Sequence, residues 1–157
     1  MANRARVGVA AFLVAALLGG AIVGVMVFRS VSVLSIDDNG ALSTFEEARM
    51  RVESTTPLVE RDASGTLVRH RSVTPAGPVP TELHALAYHV AVHRLVRADV
   101  PFWFLRVKGP ALRYAVRDTS LDLDALNLTA RDLEDAGASI VLDETRSNGD
   151  RLLVWTD

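Results

Sequence analysis

The feature that most constrains this chain is an apolar run at residues 7–28, VGVAAFLVAALLGGAIVGVMVF, which holds 22 residues and no charge. A helix of that length spans roughly 33 Å, enough to cross a hydrocarbon core of about 30 Å. A cleaved signal peptide has a shorter apolar stretch, of about 7–15 residues, and a small-residue cleavage site. Here Arg29 follows at once, and the best cleavage pattern is the weak SVS at 30–32. The run therefore predicts an uncleaved, single-pass transmembrane helix in the lipid bilayer of the cell membrane.

The charges that flank the run predict its orientation. Arg4 and Arg6 precede it, whereas Arg29 follows it. Because positive charge favours the cytoplasmic side, residues 1–6 are expected in the cytoplasm and the rest of the chain outside. The difference is about two charges, so a cytoplasmic-facing domain stays an alternative.

Three small residues recur every four positions inside the run: Ala16, Gly20 and Gly24. They share one helix face, and small residues at that spacing let two membrane helices approach closely. The pattern predicts a helix–helix contact through which the chain self-associates. Composition alone also explains it, since glycine and alanine are common in membrane helices.

Charge and cysteine content exclude several classes of function. The net charge is −2, and every acidic residue lies after position 36. Such a mildly acidic domain lacks the basic field that phosphate binding needs, so no nucleic-acid partner is expected. The chain has no cysteine, which excludes disulfides, thiolate catalysis and zinc–thiolate sites. No cofactor motif is present.

Residues 29–80 predict a juxtamembrane region rather than a principal domain. Capping-box spacings at Ser43 and Thr44 favour a short helix over 44–53. Two β-prone runs around Asp62–Gly65 predict a small hairpin. The proline-rich stretch 74–80 then predicts a linker.

Residues 81–157 predict the principal domain. Thr81 can cap a first helix, and a second is expected over 121–137, where Thr129 and Asp132 have capping spacing and Gly137 is the stop. Asn148-Gly149 is the favoured two-residue turn of a hairpin. The expected order is helix, hairpin, helix, hairpin, at 82–98, 102–117, 121–137 and 139–155. This order predicts a small α+β domain, a two-layer sandwich in which an antiparallel sheet of hairpins carries helices on one face.

Three histidines fall within the first predicted helix. On a helical wheel His89 and His93 share a ridge with Arg97, whereas His84 lies on the other side. Two imidazoles four residues apart can grip one metal ion, but neither the glutamate of HExxH nor a third ligand accompanies them. We therefore expect no metal site, and we interpret His84 as a core or boundary histidine with a hydrogen-bond partner. The acid-rich stretch 118–135 lacks the ligand order of an EF-hand and predicts no calcium site either.

The hairpin predicted at 102–117 has two faces. Period-2 alternation assigns one face to the core: Trp103, Leu105, Val107, Leu112, Tyr114 and Val116. The opposite face interleaves aromatic and basic side chains, which can hold an anionic partner: Phe102, Phe104, Arg106, Lys108, Arg113 and Arg117. An ordinary solvent face is the alternative to a partner-binding face.

Together these patterns predict a single-pass, membrane-anchored extracytoplasmic protein of the bacterial cell envelope. It would bind another envelope or membrane protein as an accessory subunit, without enzymatic activity. The alternative is a membrane-anchored hydrolase whose acid and histidine residues meet only in the fold. Such a site leaves no spacing in the sequence, so the patterns do not distinguish the two.

Overall fold

The computed structural model describes residues 31–52, 56–62, 66–70, 79–106, 126 and 128–157. The predicted membrane helix, with Ala16, Gly20 and Gly24, lies outside these ranges, as does most of the predicted linker. Within them, no helix combines the length and apolar character needed to span a membrane.

The elements run in the following order along the chain: β1 (Val31–Ser35), α1 (Asp38–Met50), β2 (Val59–Arg61), β3 (Leu67–Arg69), β4 (Glu82–His89), a 3-10 turn (Val90–Val92), β5 (Arg94–Pro101), α2 (Phe102–Arg106), α3 (Ala130–Ala136), β6 (Ser139–Thr145) and β7 (Arg151–Thr156). The seven strands form one sheet in the order β1-β5-β4-β7-β6-β2-β3. Every neighbouring pair is antiparallel except β2 and β6, which run parallel. The expected α+β class is confirmed, but the sheet is mixed.

Helices cover both faces of the sheet. On one face α1 packs Phe45 and Ala48 against Leu86 and Leu153. On the other, α2 and α3 pack their apolar side chains against the alternate residues of β4, such as Ala85. The predicted single layer of helices is therefore wrong, because the sheet is apolar on both sides and each side is buried.

The first predicted helix, over 82–98, is wrong, because this stretch forms β4 and β5. Consecutive residues of β4 point to opposite faces, and both faces are buried, so the strand reads as an almost continuous apolar run. Such a run resembles a buried helix by periodicity alone. The chain reverses after a 3-10 turn at His93, which adopts the left-handed conformation with φ 47°.

The helix α1 begins six residues earlier than predicted. Its N-cap is Asp37, whose side chain accepts a hydrogen bond from the Gly40 N–H. Gly40 lies inside the helix. A Cβ there would come within 2.7 Å of Ile36 Cγ1, so the glycine serves close packing.

The last hairpin agrees best with expectation, whereas α3 begins only at Ala130, inside the helix predicted over 121–137. Thr129 and Asp132 form a capping box at the start of α3, and Gly137 ends it. β6 and β7 pair as predicted, but the loop has three residues: Arg146 and Asp150 close it, and Gly149 occupies the positive-φ position. The small hairpin of β2 and β3 is also confirmed.

Candidate functional site

The most unusual polar group of the described sheet is His84, near the start of β4. Its side chain is buried, and its ring stacks on Trp155 of β7 with centroids 5.0 Å apart. The strand register places His84 opposite Asp99 on one side and Trp155 on the other. The prediction of a core histidine with a hydrogen-bond partner is therefore confirmed.

Carboxylates contact both ring nitrogens of His84. Nδ1 lies 2.5 Å from Oδ1 of Asp99. Nε2 lies 3.0 Å from Oδ1 of Asp157, close enough for an ion pair, although the angles fall outside those of a hydrogen bond. Arg97 approaches the outer side of Asp99, with Nε 3.1 Å from Oδ2. The four residues form an alternating charge cluster, here called the His84 cluster.

The electrostatics of this cluster favour an ionised pair. Burial by itself would lower the pKa of His84, but the contacts with Asp99 and Asp157 outweigh burial and raise it above its ordinary value. Burial by itself would raise the pKa of Asp99, yet His84 and Arg97 lower it below its ordinary value. These shifts favour the protonated form of His84 and the ionised form of Asp99.

The His84 cluster has the wrong geometry for a catalytic dyad. A histidine base needs one nitrogen oriented by a carboxylate and the other within reach of a nucleophile or substrate. Asp99 can orient Nδ1, but Nε2 is fully buried and contacts a second carboxylate, that of Asp157. The buried hydroxyl of Thr156 belongs to the opposite face of the sheet, because Thr156 alternates with Trp155 along β7.

A second polar cluster lies at the start of α1. The Tyr88 hydroxyl donates to Oδ1 of Asp38 at 2.6 Å and lies 3.1 Å from Nδ1 of His93. The hydrogen bond to Asp38, together with burial, raises the pKa of Tyr88 to about 12. This cluster joins the helix start to the turn between β4 and β5.

His89 connects the turn that follows β4 with the turn between β6 and β7, which lie at the same end of the sheet. Its Nδ1 lies 3.2 Å from Oδ2 of Asp150, whose other oxygen accepts the Val90 N–H at 3.0 Å. Burial alone would raise the pKa of Asp150, but these bonds and the one from Asn148 lower it below its ordinary value. His89 and His93 therefore contact different acids, and the predicted ridge with Arg97 does not form. Among the described residues, no cluster of three or more potential ligands could hold a metal ion.

The aromatic half of the predicted partner-binding face is not on the surface. Residues 102–106 form α2 instead of a strand, and Phe102 and Phe104 are buried in the core. Trp103, predicted for the core, is 49% exposed, while Leu105 is buried as expected. Arg106 is exposed and pairs with Glu134 of α3 at 2.5 Å. The remaining members, Lys108, Arg113 and Arg117, and the core positions 107, 112, 114 and 116 lie outside the described residues.

A surface depression of about 670 Å³ lies beside β2 and the end of β6. Its lining is mostly charged: Glu60, Arg61, Asp62, Asp143, Glu144, Thr145, Arg146 and Ser147. Two of its carboxylates already bind arginines. Asp143 accepts two hydrogen bonds from Arg49 of α1, and Glu144 accepts one from Arg61. These ion pairs hold α1 and β2 against β6. Because both carboxylates are already paired, no ligand is assigned to the depression.

The exposed edge of the sheet at β1 is the feature that sequence reasoning missed. No described strand pairs with the outer side of β1, and Val33 and Leu34 are 53% and 54% exposed. The other edge strand, β3, is only three residues long and carries Arg69, which pairs with Asp132. Proteins commonly protect sheet edges with charge, proline or short length, and β1 has no charge and no proline. The signal in the sequence is VSVLS itself, a run rich in residues that favour strands.

Comparison with protein-family models, curated proteins and solved structures finds no match to this chain.

Proposed function

We propose that this chain is a single-pass membrane protein whose small extracytoplasmic α+β domain binds another component of the bacterial cell envelope. It acts as an accessory subunit and not as an enzyme. The observation that carries the proposal is the uncharged outer edge of β1, with which no described strand pairs; two residues separate β1 from the apolar run at 7–28. An exposed edge strand offers a row of backbone donors and acceptors to an incoming strand.

The position of this edge supports a role at the membrane. A helix over residues 7–28 leaves only residues 29 and 30 before β1, so β1 would lie at the membrane surface. A partner that is itself held in the membrane would meet this edge first. Confinement of both proteins to one membrane also raises their effective concentration, so a short strand contact suffices.

The alternative of a membrane-anchored hydrolase receives no support from the His84 cluster. Nε2 of His84 is buried and lies 3.0 Å from Oδ1 of Asp157. A histidine with no accessible nitrogen cannot accept a proton from a nucleophile.

Membrane attachment and orientation are tested on the full chain in its own cells. The mass of the mature protein should correspond to the uncleaved sequence, and protease added to spheroplasts should degrade the domain. Loss of about 30 N-terminal residues would remove the anchor from the proposal. Complete protection until lysis would place the domain in the cytoplasm.

Binding is tested by a photo-activated cross-linking residue introduced at Leu34 and, as the matched control, at Met50. Both side chains are exposed, but Met50 ends α1 away from the sheet edge. A product that forms in membranes at position 34 and not at position 50 is expected, and mass spectrometry identifies the protein attached. Equal products at the two positions, or none at either, would contradict a binding edge at β1.

A further inference from the structure

The chain contains the dipeptide Asn-Gly twice, at Asn39-Gly40 and at Asn148-Gly149. In this dipeptide the backbone nitrogen of the glycine can attack the side-chain amide carbon of the asparagine, because glycine has no side chain to obstruct the approach. The first pair lies in the first turn of α1, whereas the second lies in the loop between β6 and β7. Both asparagines are exposed, so the two pairs differ in their backbone environment and not in their access to water.

The helix around Asn39 opposes this attack. Closing the ring rotates the Cα–C bond of Asn39 out of the helical conformation. That rotation would disrupt the first turn, where Asp37 accepts the Gly40 N–H on its carboxylate and the Ala41 N–H on its carbonyl, both at 2.9 Å. It would also displace Gly40 from its close packing on Ile36. In addition, the negative charge of Asp37 disfavours loss of the Gly40 N–H proton, which the attack requires.

The loop around Asn148 favours the attack. Oδ1 of Asn148 accepts a hydrogen bond from the Asp150 N–H at 3.0 Å. This bond polarises the amide carbonyl and stabilises the negative charge that develops on its oxygen as the ring closes. Gly149 donates its N–H to the neutral carbonyl of Arg146 at 2.9 Å, and not to a carboxylate. The bond to Arg146 has to open during the attack, but no helical turn is lost with it.

We propose that Asn148 is a site of spontaneous deamidation in the folded protein, whereas α1 protects Asn39. The Gly149 nitrogen forms a bond to Cγ of Asn148, and the side-chain nitrogen leaves as ammonia with the backbone proton. Water then opens the cyclic imide at either carbonyl, which gives aspartate at position 148 or its isomer linked through the side-chain carboxyl. No atom changes its oxidation state, so water is the only co-reactant. This inference goes beyond the proposed function, because it depends on neither the membrane helix nor the edge of β1.

Deamidation weakens the connection between the β6–β7 loop and the turn that follows β4. Asp150 makes this connection, because one of its oxygens accepts the Val90 N–H at 3.0 Å and the other lies 3.2 Å from Nδ1 of His89. Nδ2 of Asn148 donates to the same Oδ2 of Asp150 at 3.0 Å. In the product a carboxylate replaces this donor, so a hydrogen bond becomes a contact between two negative charges. The loop should therefore separate from Val90, whose Cγ2 would lie 3.4 Å from a Cβ added at Gly149.

The purified full chain tests the site, with Asn39 as the internal control. After incubation in mildly alkaline buffer made with heavy-oxygen water, protease digestion and mass spectrometry measure the labelled, deamidated fraction at each Asn-Gly pair. In the folded protein Asn148 should react at least about tenfold faster than Asn39, a difference of about 1.4 kcal/mol in activation free energy. In concentrated urea the two rates should become similar, since the fold no longer distinguishes the pairs. Equal rates in the folded protein, or a faster reaction at Asn39, would overturn the proposal.

A pair of variants tests the effect of the product on the two turns. Asn148→Asp introduces the carboxylate of the product, and hydrogen exchange at the Val90 N–H should become faster by about fivefold or more as its bond to Asp150 is lost. Ser147→Asp is the matched control, because it adds the same charge at an exposed position of the same loop. Exchange at Val90 should be unchanged in this control. Equal exchange at Val90 in the wild type and in Asn148→Asp would overturn the separation of the turns.

Discussion

Nδ1 of His84 on β4 and Oδ1 of Asp99 on β5 are 2.5 Å apart across two neighbouring strands of the sheet. The pair is unequal in exposure, since the His84 side chain is 6% exposed and that of Asp99 is 34% exposed. Because His84 is the buried member of the pair, its protonation couples the stability of the domain to pH.

The pH range of this coupling follows from the two pKa shifts. Folding raises the pKa of His84, so its contribution is complete below its unfolded pKa, about 6.5, and is lost as pH rises through the folded value. Folding lowers the pKa of Asp99, so its contribution is present above about 3.9 and is lost as pH falls through the folded value. The pair stabilises the fold most between about pH 4 and pH 6.5.

We therefore expect the melting temperature of the domain to fall between pH 6 and pH 8. Asp99→Asn should reduce this fall and cost about 1 kcal/mol at pH 6, a low value because Asp99 is partly exposed. Thermal melts followed by circular dichroism measure both effects. Asp135→Asn, at an exposed carboxylate of α3, is the control and should leave the pH profile unchanged. A wild-type profile that is flat from pH 6 to pH 8 would contradict the assignment.

The packing of α1 on the sheet is tested at Phe45. This side chain is fully buried, and its ring also lies 5.0 Å from the guanidinium carbon of Arg151. Phe45→Ala should cost about 3–5 kcal/mol, a large share of the roughly 5–15 kcal/mol that holds a domain of this size. Leu42→Ala, on the exposed side of the same helix, should cost under about 0.5 kcal/mol. Urea denaturation compares the two variants, and equal costs would mean that α1 does not cover this face.

The capping box of α3 makes a prediction about one carboxyl group. The side-chain hydrogen bond from Thr129, its backbone N–H and Arg69 lower the pKa of Asp132 to about 2. Thr129→Ala should raise that pKa toward its ordinary value and cost about 1 kcal/mol. Because the folded pKa is depressed, the cost should be present at pH 6 and should shrink as pH falls from about 4 to 2. NMR titration of the Asp132 carboxyl carbon measures the shift, and an unchanged pKa in Thr129→Ala would contradict the capping box.

Gly40 should respond to alanine with the opposite sign from most helical glycines. Replacing glycine by alanine usually stabilises a helix by about 1 kcal/mol. Here the new Cβ would meet Ile36 Cγ1 at 2.7 Å and Asp37 Oδ1 at 2.9 Å, so either the packing or the N-cap must shift. Gly40→Ala should therefore destabilise the domain by about 1–3 kcal/mol in urea denaturation. Asn39→Ala, at the exposed neighbouring position, should be neutral or slightly stabilising.

The sequence predicts those elements whose ends carry their own signals. The β6–β7 hairpin and the caps of α3 at Thr129 and Gly137 depend on local turn and cap chemistry, and both are found. The strands β4 and β5 were missed for a tertiary reason: both faces are covered, which removes the polar–apolar alternation. Their turn also lacks glycine, proline and asparagine, since His93 takes the left-handed position that those residues usually mark.

The His84 cluster could not be predicted because its members are adjacent only through strand register. Asp99 lies opposite His84 because β4 and β5 form a hairpin. The helix predicted over 82–98 gives no such pairing of the two residues. Trp155 and Asp157 reach the histidine through the pairing of β4 with β7, which lies more than 60 residues further along the chain. The free edge of β1 likewise depends on the strand order, which local patterns do not contain.

The strand order also determines when the domain can fold during synthesis. β7, at the centre of the sheet, is the last described strand to be made and pairs with β4, so contacts of high sequence separation join the two halves of the core. Until residues 151–156 emerge from the ribosome, β1, β5 and β4 have no connection to the other half of the sheet. An N-terminal helix engaged by the membrane would thus be inserted before the domain acquires a fold that could block its passage. If the domain lies outside the cytoplasm as proposed, this topology would let it cross the membrane as an unfolded chain and complete its folding on the far side.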